Sequence, residues 1–565
     1  MLKEELEDRH IAGNWWIWLI AILGMAVATR LYFLPYDLPP VMDGVDYFAY
    51  SLEIRNLGEL PKNWPLGNNG WPSFMGLLFS IIPSEEFLDY VNFYRISSVI
   101  ISTITIIPIY FISSKFFGKH LGLLGAALFA FEPRLMINST MIMNEPIFIL
   151  LITLIILLFF YRNSKNLIIV FGLIALATHI RYESLIFIIP ASILFFLNSG
   201  KDFKDFQKYF LAIFVFLIIL IPFLALNYFV TGQDGISNHY LSAVIQDYDQ
   251  LVESDFSNNV YLNEKIDDEN KNYDYILNGL SNGIKFLGYS LVPIFILLIP
   301  YGIFCIFKER NFIKNVIIIL SIFMILPAIY AYMNGFNDIR YLFILYPIFS
   351  FLSLFTLQKI KNKIKKQYVF FILILFLLIS IGIIANFEQN EQNELLKEYF
   401  FVSQKVVDLA TGYNQFSSAS QYVKAAEIEN RWTGSLVSTQ SGHFVKEKVL
   451  IPYDEHKTLL DYIENSRDIE KIGMANHPHH QFWFTDASGT KLLDPFYYLS
   501  DGTKKQAPVG LSHIIADDRD ETPKFIQDVY FNEEKYPFLI KKFDSGDFDL
   551  KYNVKIFEIN YKKFE

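Results

Sequence analysis

The chain has 565 residues, of which 53% are hydrophobic, 17% aromatic and only 19% charged, with a formal net charge of −10. Soluble domains carry about 25% charged residues, so an ordinary water-soluble globule is excluded, and the acidic balance excludes nucleic acid as a partner, which requires a basic face. The single cysteine, Cys305, excludes a disulfide within the chain.

Apolar runs recur from the N-terminus to residue 385. About 20 consecutive apolar residues cross a bilayer, and the spacing predicts about eleven spans: 14–34, 92–113, 121–131 with its continuation, 145–161, 166–178, 184–199, 208–228, 287–306, 315–332, 341–357 and 368–385. The first run has no small-residue cleavage site and reads as a retained span. Alternate loops hold Lys115 and Lys119; Arg162 and Lys165; Lys201, Lys204 and Lys208; Lys308, Arg310 and Lys314; and Lys359, Lys361, Lys363, Lys365 and Lys366. Basic loops face the cytoplasm. The N-terminus is therefore expected inside, and the other loops and everything after 386 outside.

The first outer loop, 35–91, carries Asp43 and Asp46, followed by Tyr47 and Tyr50. The next holds Glu132, Arg134 and Glu145 in FEPRLMINSTMIMNEP. Then come His179, Arg181 and Glu183 in THIRYESL, and Asp338 and Arg340 in NDIRYLFILYP. Each charge alone reads as an interface anchor or a helix start; Asn144 followed by Glu145-Pro146, for example, suits a helix N-terminus. Convergence at one membrane surface points to a shared wet cavity, because charges near a bilayer pair or line a functional site. Carboxylates there can accept a proton from an attacking hydroxyl, and arginines can clamp a phosphate. The pair suits an amphipathic substrate with a phosphate headgroup on a lipid tail.

The long outer loop, 229–286, contains NHYLSAVIQDYDQLV, whose helical spacing suggests a lid over the cleft; its acidic run EKIDDEN reads as a solvated turn. After the last span the composition turns polar. Residues 387–565 read as a soluble extracytoplasmic α/β domain: helices in SQYVKAAEIENRW and HKTLLDYIENSRDIEKIG, strands in EKVLIPY and QFWFTD, and an edge strand or hairpin arm in VKIFEINYKKF. His477, His479 and His480 are spaced poorly for a metal and read as a loop at a strand edge. The sequon Asn138-Ser139-Thr140 lies hard against the membrane and reads as chance.

The order of these motifs, with NNGWPSF at 68–74, resembles the GT-C superfamily of integral-membrane glycosyltransferases, most closely the archaeal form of the dolichyl-phosphate-mannose–protein mannosyltransferases (family 39), over roughly residues 14–360. The resemblance implies a GT-C transmembrane domain over 1–386 and an inverting transfer of a monosaccharide from a polyprenyl phosphate to a protein, lipid or glycan hydroxyl at the outer face. It aligns Asp46 with the catalytic Asp and Tyr50 with the tyrosine that follows; the family's Glu is replaced by Tyr47, and Asp43 can supply the missing carboxylate. It places Arg340 and Arg181 at the donor phosphate and Glu145 in the cavity, where Glu132, Arg134, His179, Glu183 and Asp338 are also expected. The oligosaccharyltransferase motif WWDYG is absent. No metal is implied, although Asp43, Asp46 and Glu145 have the oxygen ligands a divalent ion takes. The competing reading is a transporter or flippase of a lipid-linked sugar. Transporters tend to show internal repeats and midplane charges; here no repeat is visible and the charges lie at one surface. An anchored sensor or structural protein would leave the acids of the first loop unexplained.

Overall fold

The computed structural model describes residues 14–411, apart from 39, 41–42, 62–65, 85–86, 162–165, 199–202, 233, 237–270, 309–311, 335, 337 and 365, together with 513–517, 529–548, 553–560 and 563. The helices in chain order are α1 (Trp15–Tyr32), α2 (Asp43–Leu57), α3 (Gly70–Phe79), α4 (Phe87–Phe117), α5 (Lys119–Ala130), α6 (Pro133–Ser139), α7 (Glu145–Phe160), α8 (Asn166–Ile180), α9 (Ile188–Asn198), α10 (Phe203–Thr231), α11 (Lys271–Leu291), α12 (Ile299–Lys308), α13 (Phe312–Met333), α14 (Tyr346–Lys361) and α15 (Gln367–Thr411). Among the described residues, six helical stretches are long and apolar enough to cross a membrane, or seven if the bent pair α5–α6 is one span. Shorter apolar helices include α7, α8 and α12.

Small residues set a close crossing between two helices. A Cβ on Gly122 would lie 2.6 Å from Ser114 Cβ, and one on Gly125 would run into the Ser113 side chain. Side chains this small let α4 and α5 approach closely, where van der Waals packing holds apolar helices together. Between α5 and α6 the chain bends by 57°. Pro133 opens α6, and the Glu132 side chain caps it by accepting from Leu135 N at 2.8 Å. The bend frees carbonyls at the end of α5, and a fully buried Arg30 on α1 answers that of Ala130. Its Nη2 donates to Ala130 O (2.9 Å), Nε to Ser139 Oγ (3.0 Å) and Nη1 to Ala26 O (3.1 Å).

Two corners share one design. After α8, Arg181 is extended (φ −147°, ψ 116°) and Tyr182–Phe187 form a 3-10 helix that runs into α9. After α13, Asp338 is extended (φ −124°, ψ 128°) and Ile339–Leu345 form a 3-10 helix that runs into α14. Each corner places an Arg-Tyr pair at its start, where the chain re-enters the apolar region.

Three expectations need correction. The span expected at 287–306 is broken: α11 already covers 271–286 of the supposed loop, and turns join it to α12. Pro293 and Pro300 lie in this run, and a proline cannot continue the hydrogen-bond ladder of a helix interior. The last helix does not end at 385. It runs unbroken to Thr411, and Lys397 on it pairs with Asp37 of the first loop at 2.9 Å. The expected edge strand is central. β1 (His513–Asp517), β2 (Leu539–Asp544) and β3 (Val554–Ile559) form an antiparallel sheet in the order β1-β3-β2, so VKIFEI is flanked on both sides and is also a hairpin arm to β2. Alternation reports which face is buried, not how many neighbours a strand has. The proposed lid helix, the acidic run, the three histidines and the other elements expected between 412 and 512 lie outside the described residues.

Candidate active site

Helix α2 begins at Asp43. With 3.6 residues per turn, Asp43, Asp46, Tyr47 and Tyr50 fall on one side of it. Its first turn is pressed onto the turn before α7, since a Cβ on Gly44 would sit 2.9 Å from Ile142 O. Arg95, buried on α4, anchors the approach by donating to Pro35 O and Leu38 O at 2.6 and 2.7 Å.

Asp43 Oδ2 accepts from Arg340 Nη2 at 2.9 Å, joining residues 297 apart in the chain. Arg340 Nε also donates to Asp338 Oδ2 (2.5 Å), and its Nη1 reaches the Met143 sulfur at 3.0 Å. On the other corner, Arg181 Nη1 pairs with Glu145 at 3.1 Å and Nη2 with Glu183 at 3.4 Å. Glu145 also acts electrostatically on Arg340, so the two arginine groups lie within electrostatic range of each other. Arg181 lies 5.5 Å from the Tyr341 ring centroid and 5.7 Å from that of Phe148, within cation–π range. Asp46 is exposed, one turn after Asp43 on the same helix.

Tyr47 stands in the field of all four central groups: Asp43, Glu145, Arg181 and Arg340. Burial, then the charges of Asp43 and Glu145, push its phenol well above the ordinary tyrosine value, against the pull of the two arginines. It keeps its proton and can donate a hydrogen bond. In the sequence it stood out only as the residue replacing a carboxylate. Its position four residues after Asp43, on the same helix face, was the signal that it belongs to the site.

The expected site residues thus divide. Asp43, Glu145, Arg181, Glu183, Asp338 and Arg340 meet in one cluster, with Asp46 on the same helix as Asp43. Glu132 and Arg134 pair with each other at 3.2 Å and engage the Tyr346 hydroxyl and backbone groups, Arg134 donating to Val292 O at 2.6 Å. His179 is buried between α8 and α10, with Nε2 3.1 Å from Ile219 O and its ring 4.8 Å from that of Phe223. Tyr50 is fully buried, and its hydroxyl accepts from Asn69 Nδ2 at 2.9 Å. Among the described residues, no group of three or more His, Cys, Asp or Glu side chains converges to hold a metal ion.

Residues 89–226 match the family described as dolichyl-phosphate-mannose-protein mannosyltransferase. That stretch contains Glu145, Arg181 and Glu183; Asp43, Asp46, Asp338 and Arg340 lie outside it. No curated protein sequence matches the chain. The crystal structure of an Archaeoglobus fulgidus oligosaccharyltransferase in complex with Zn and sulfate superposes with a TM-score of 0.50 at 15% identity, covering 95% of this chain and 73% of that one. AglB of the same organism, in complex with an inhibitory peptide and a dolichol-phosphate, gives 0.47 at 12% identity over 91% and 71%. ArnT from Cupriavidus metallidurans bound to undecaprenyl phosphate gives 0.39 at 9% identity over 87% and 78%. At 15% identity the first likeness establishes the fold alone. The chain is a polytopic helical membrane protein that shares the fold of the Archaeoglobus fulgidus oligosaccharyltransferase, and its residues 89–226 match the dolichyl-phosphate-mannose-protein mannosyltransferase family.

Proposed function

We propose that the protein is an inverting glycosyltransferase that moves a monosaccharide from a polyprenyl phosphate to a hydroxyl of a protein, lipid or glycan at the outer face of the membrane. The N-terminus is cytoplasmic, and the region after 386 is extracytoplasmic. The observation that carries this reading is the 2.9 Å contact between Asp43 of the first loop and Arg340 of the second corner. It unites a carboxylate-bearing helix with phosphate-binding chemistry at one place.

The donor's tail lies in the bilayer and its headgroup enters between the corners. Arg340 and Arg181 hold the phosphate. A guanidinium carries five donors; on Arg340, the one facing the Met143 sulfur meets a weak acceptor, which a phosphate oxygen displaces. Asp46, which the resemblance aligns with the catalytic Asp, is the base, and Asp43 is engaged by Arg340. Its carboxylate takes the proton of the acceptor hydroxyl. The oxygen forms a bond to the anomeric carbon on the face opposite the phosphate. The carbon–phosphate-oxygen bond breaks, and its electron pair leaves with the polyprenyl phosphate, whose charge the arginines stabilise. Tyr47 supplies a neutral donor between them. The matched family's description supports a dolichyl-phosphate sugar as donor and a protein as acceptor.

The test is transfer of labelled sugar from a polyprenyl phosphate by the purified protein. Asp46→Asn is expected to lose about 10²–10⁴-fold in turnover while keeping its fold. Asp43→Asn is expected to lose less and to weaken donor binding. Loss confined to Asp43→Asn moves the base one turn upstream, and no transfer by wild type under any donor sinks the reading.

A further inference from the structure

The turn Asn68-Asn69-Gly70 lies outside every role assigned so far, yet it touches both residues that flank the Arg181–Glu145 pair. Asn68 Oδ1 accepts from Tyr182 N at 2.9 Å, next in the chain to Arg181. Asn68 O accepts from Asn144 Nδ2 at 3.1 Å, next in the chain to Glu145. The residue sits at φ 57°, a left-handed conformation that asparagine, aspartate and glycine adopt more readily than other residues. Asn69, buried, donates to Tyr50 Oη at 2.9 Å and to Asn227 Oδ1 at 3.1 Å, tying the turn to α2 and α10. Gly70 comes against the end of α8, where a Cβ would run into His179 O and leave no room for a side chain. One turn therefore fixes the corner that carries Arg181, the start of α7 that carries Glu145, and the helix that carries Asp43 and Asp46.

We propose that Asn68 is a positioning residue for the reaction: through its side-chain and main-chain oxygens it sets the Arg181–Glu145 pair at the distance and angle needed opposite the acids of α2. This rests on the functional reading above. Asn68 itself touches neither donor nor acceptor, so it governs turnover through alignment and leaves donor affinity largely alone.

Three variants separate the contributions. Asn68→Gly keeps the left-handed backbone and its carbonyl but loses the acceptor for Tyr182 N. Asn68→Asp keeps both. Asn68→Ala loses the acceptor and strains the turn as well. A misplacement of about 1 Å costs on the order of 10²-fold; kcat of Asn68→Gly is expected to fall by roughly that much, with KM for a polyprenyl-phosphate sugar changed less than about threefold, and Asn68→Asp to restore most of the rate. Hydrogen exchange at the Tyr182 amide needs no substrate and is expected to quicken about tenfold or more in Asn68→Gly but not in Asn68→Asp. Unchanged exchange in Asn68→Gly, or fast exchange with wild-type kcat, overturns the proposal. A wild type that transfers no sugar refutes the functional reading instead, and the exchange result still decides whether Asn68 holds the corner. If Asn68→Ala fails to fold, the glycine and aspartate variants carry the test.

Discussion

Two clusters of arginine and acid lie at helix breaks in this protein, and they differ in what they bind. Around the α5–α6 bend, Arg30 donates to two carbonyls and a serine hydroxyl, Glu132 caps a helix, and Arg134 pairs with Glu132 and reaches a carbonyl, so that most partners are backbone groups. Around the two 3-10 corners, Arg181 and Arg340 pair with Glu145, Glu183, Asp43 and Asp338. Arg30 is fully buried, whereas the side chain of Asp43 is 51% exposed. A charge whose partners are backbone groups restores hydrogen bonds that a bend has removed. A charge whose partners are other ionisable groups at a wet surface can exchange them for a substrate's.

Removing members of each cluster tests this division. The largest effect is expected from Arg340→Ala and Arg181→Ala, which should each lower transfer from a polyprenyl-phosphate sugar by about 10²–10³-fold, while detergent-solubilised protein still elutes as a folded species. Arg30→Met should do the reverse. The orphaned Ala130 carbonyl, with the lost charge-assisted bonds, should cost about 2–4 kcal/mol, read as a lower melting temperature with turnover per folded molecule unchanged. If Arg30→Met loses turnover without losing stability, the two clusters are not distinct. The smallest effect belongs to Lys397→Ala. Its ion pair with Asp37 is partly exposed (35% and 64% of the side chains), and such pairs contribute about 0–1 kcal/mol, so both melting and transfer should stay near wild type.

Much of the site was legible before folding was considered. Acids and arginines stand out in apolar surroundings because burying them alone is so costly, and six of those singled out, from Asp43 to Arg340, do meet. Glu132, Arg134, His179 and Tyr50 looked the same in the sequence. Residue type does not reveal whether a partner will be a carbonyl, a ring or a carboxylate. Arg30 was not singled out, and Tyr47 was named without a role of its own. The first sits inside a span and resembles a snorkelling end residue; the second is an aromatic residue among many.

Composition and apolar run length alone determined that the chain is a helical membrane protein, because a bilayer leaves a backbone few ways to satisfy its hydrogen bonds. The order of the short charged motifs determined the resemblance to a glycosyltransferase superfamily. Only the tertiary structure decided which charges meet. The contact between Asp43 and Arg340 bridges 297 residues, and no local pattern encodes a distance that depends on how the intervening helices pack, where two corners turn, and how closely a glycine lets one helix approach the next turn.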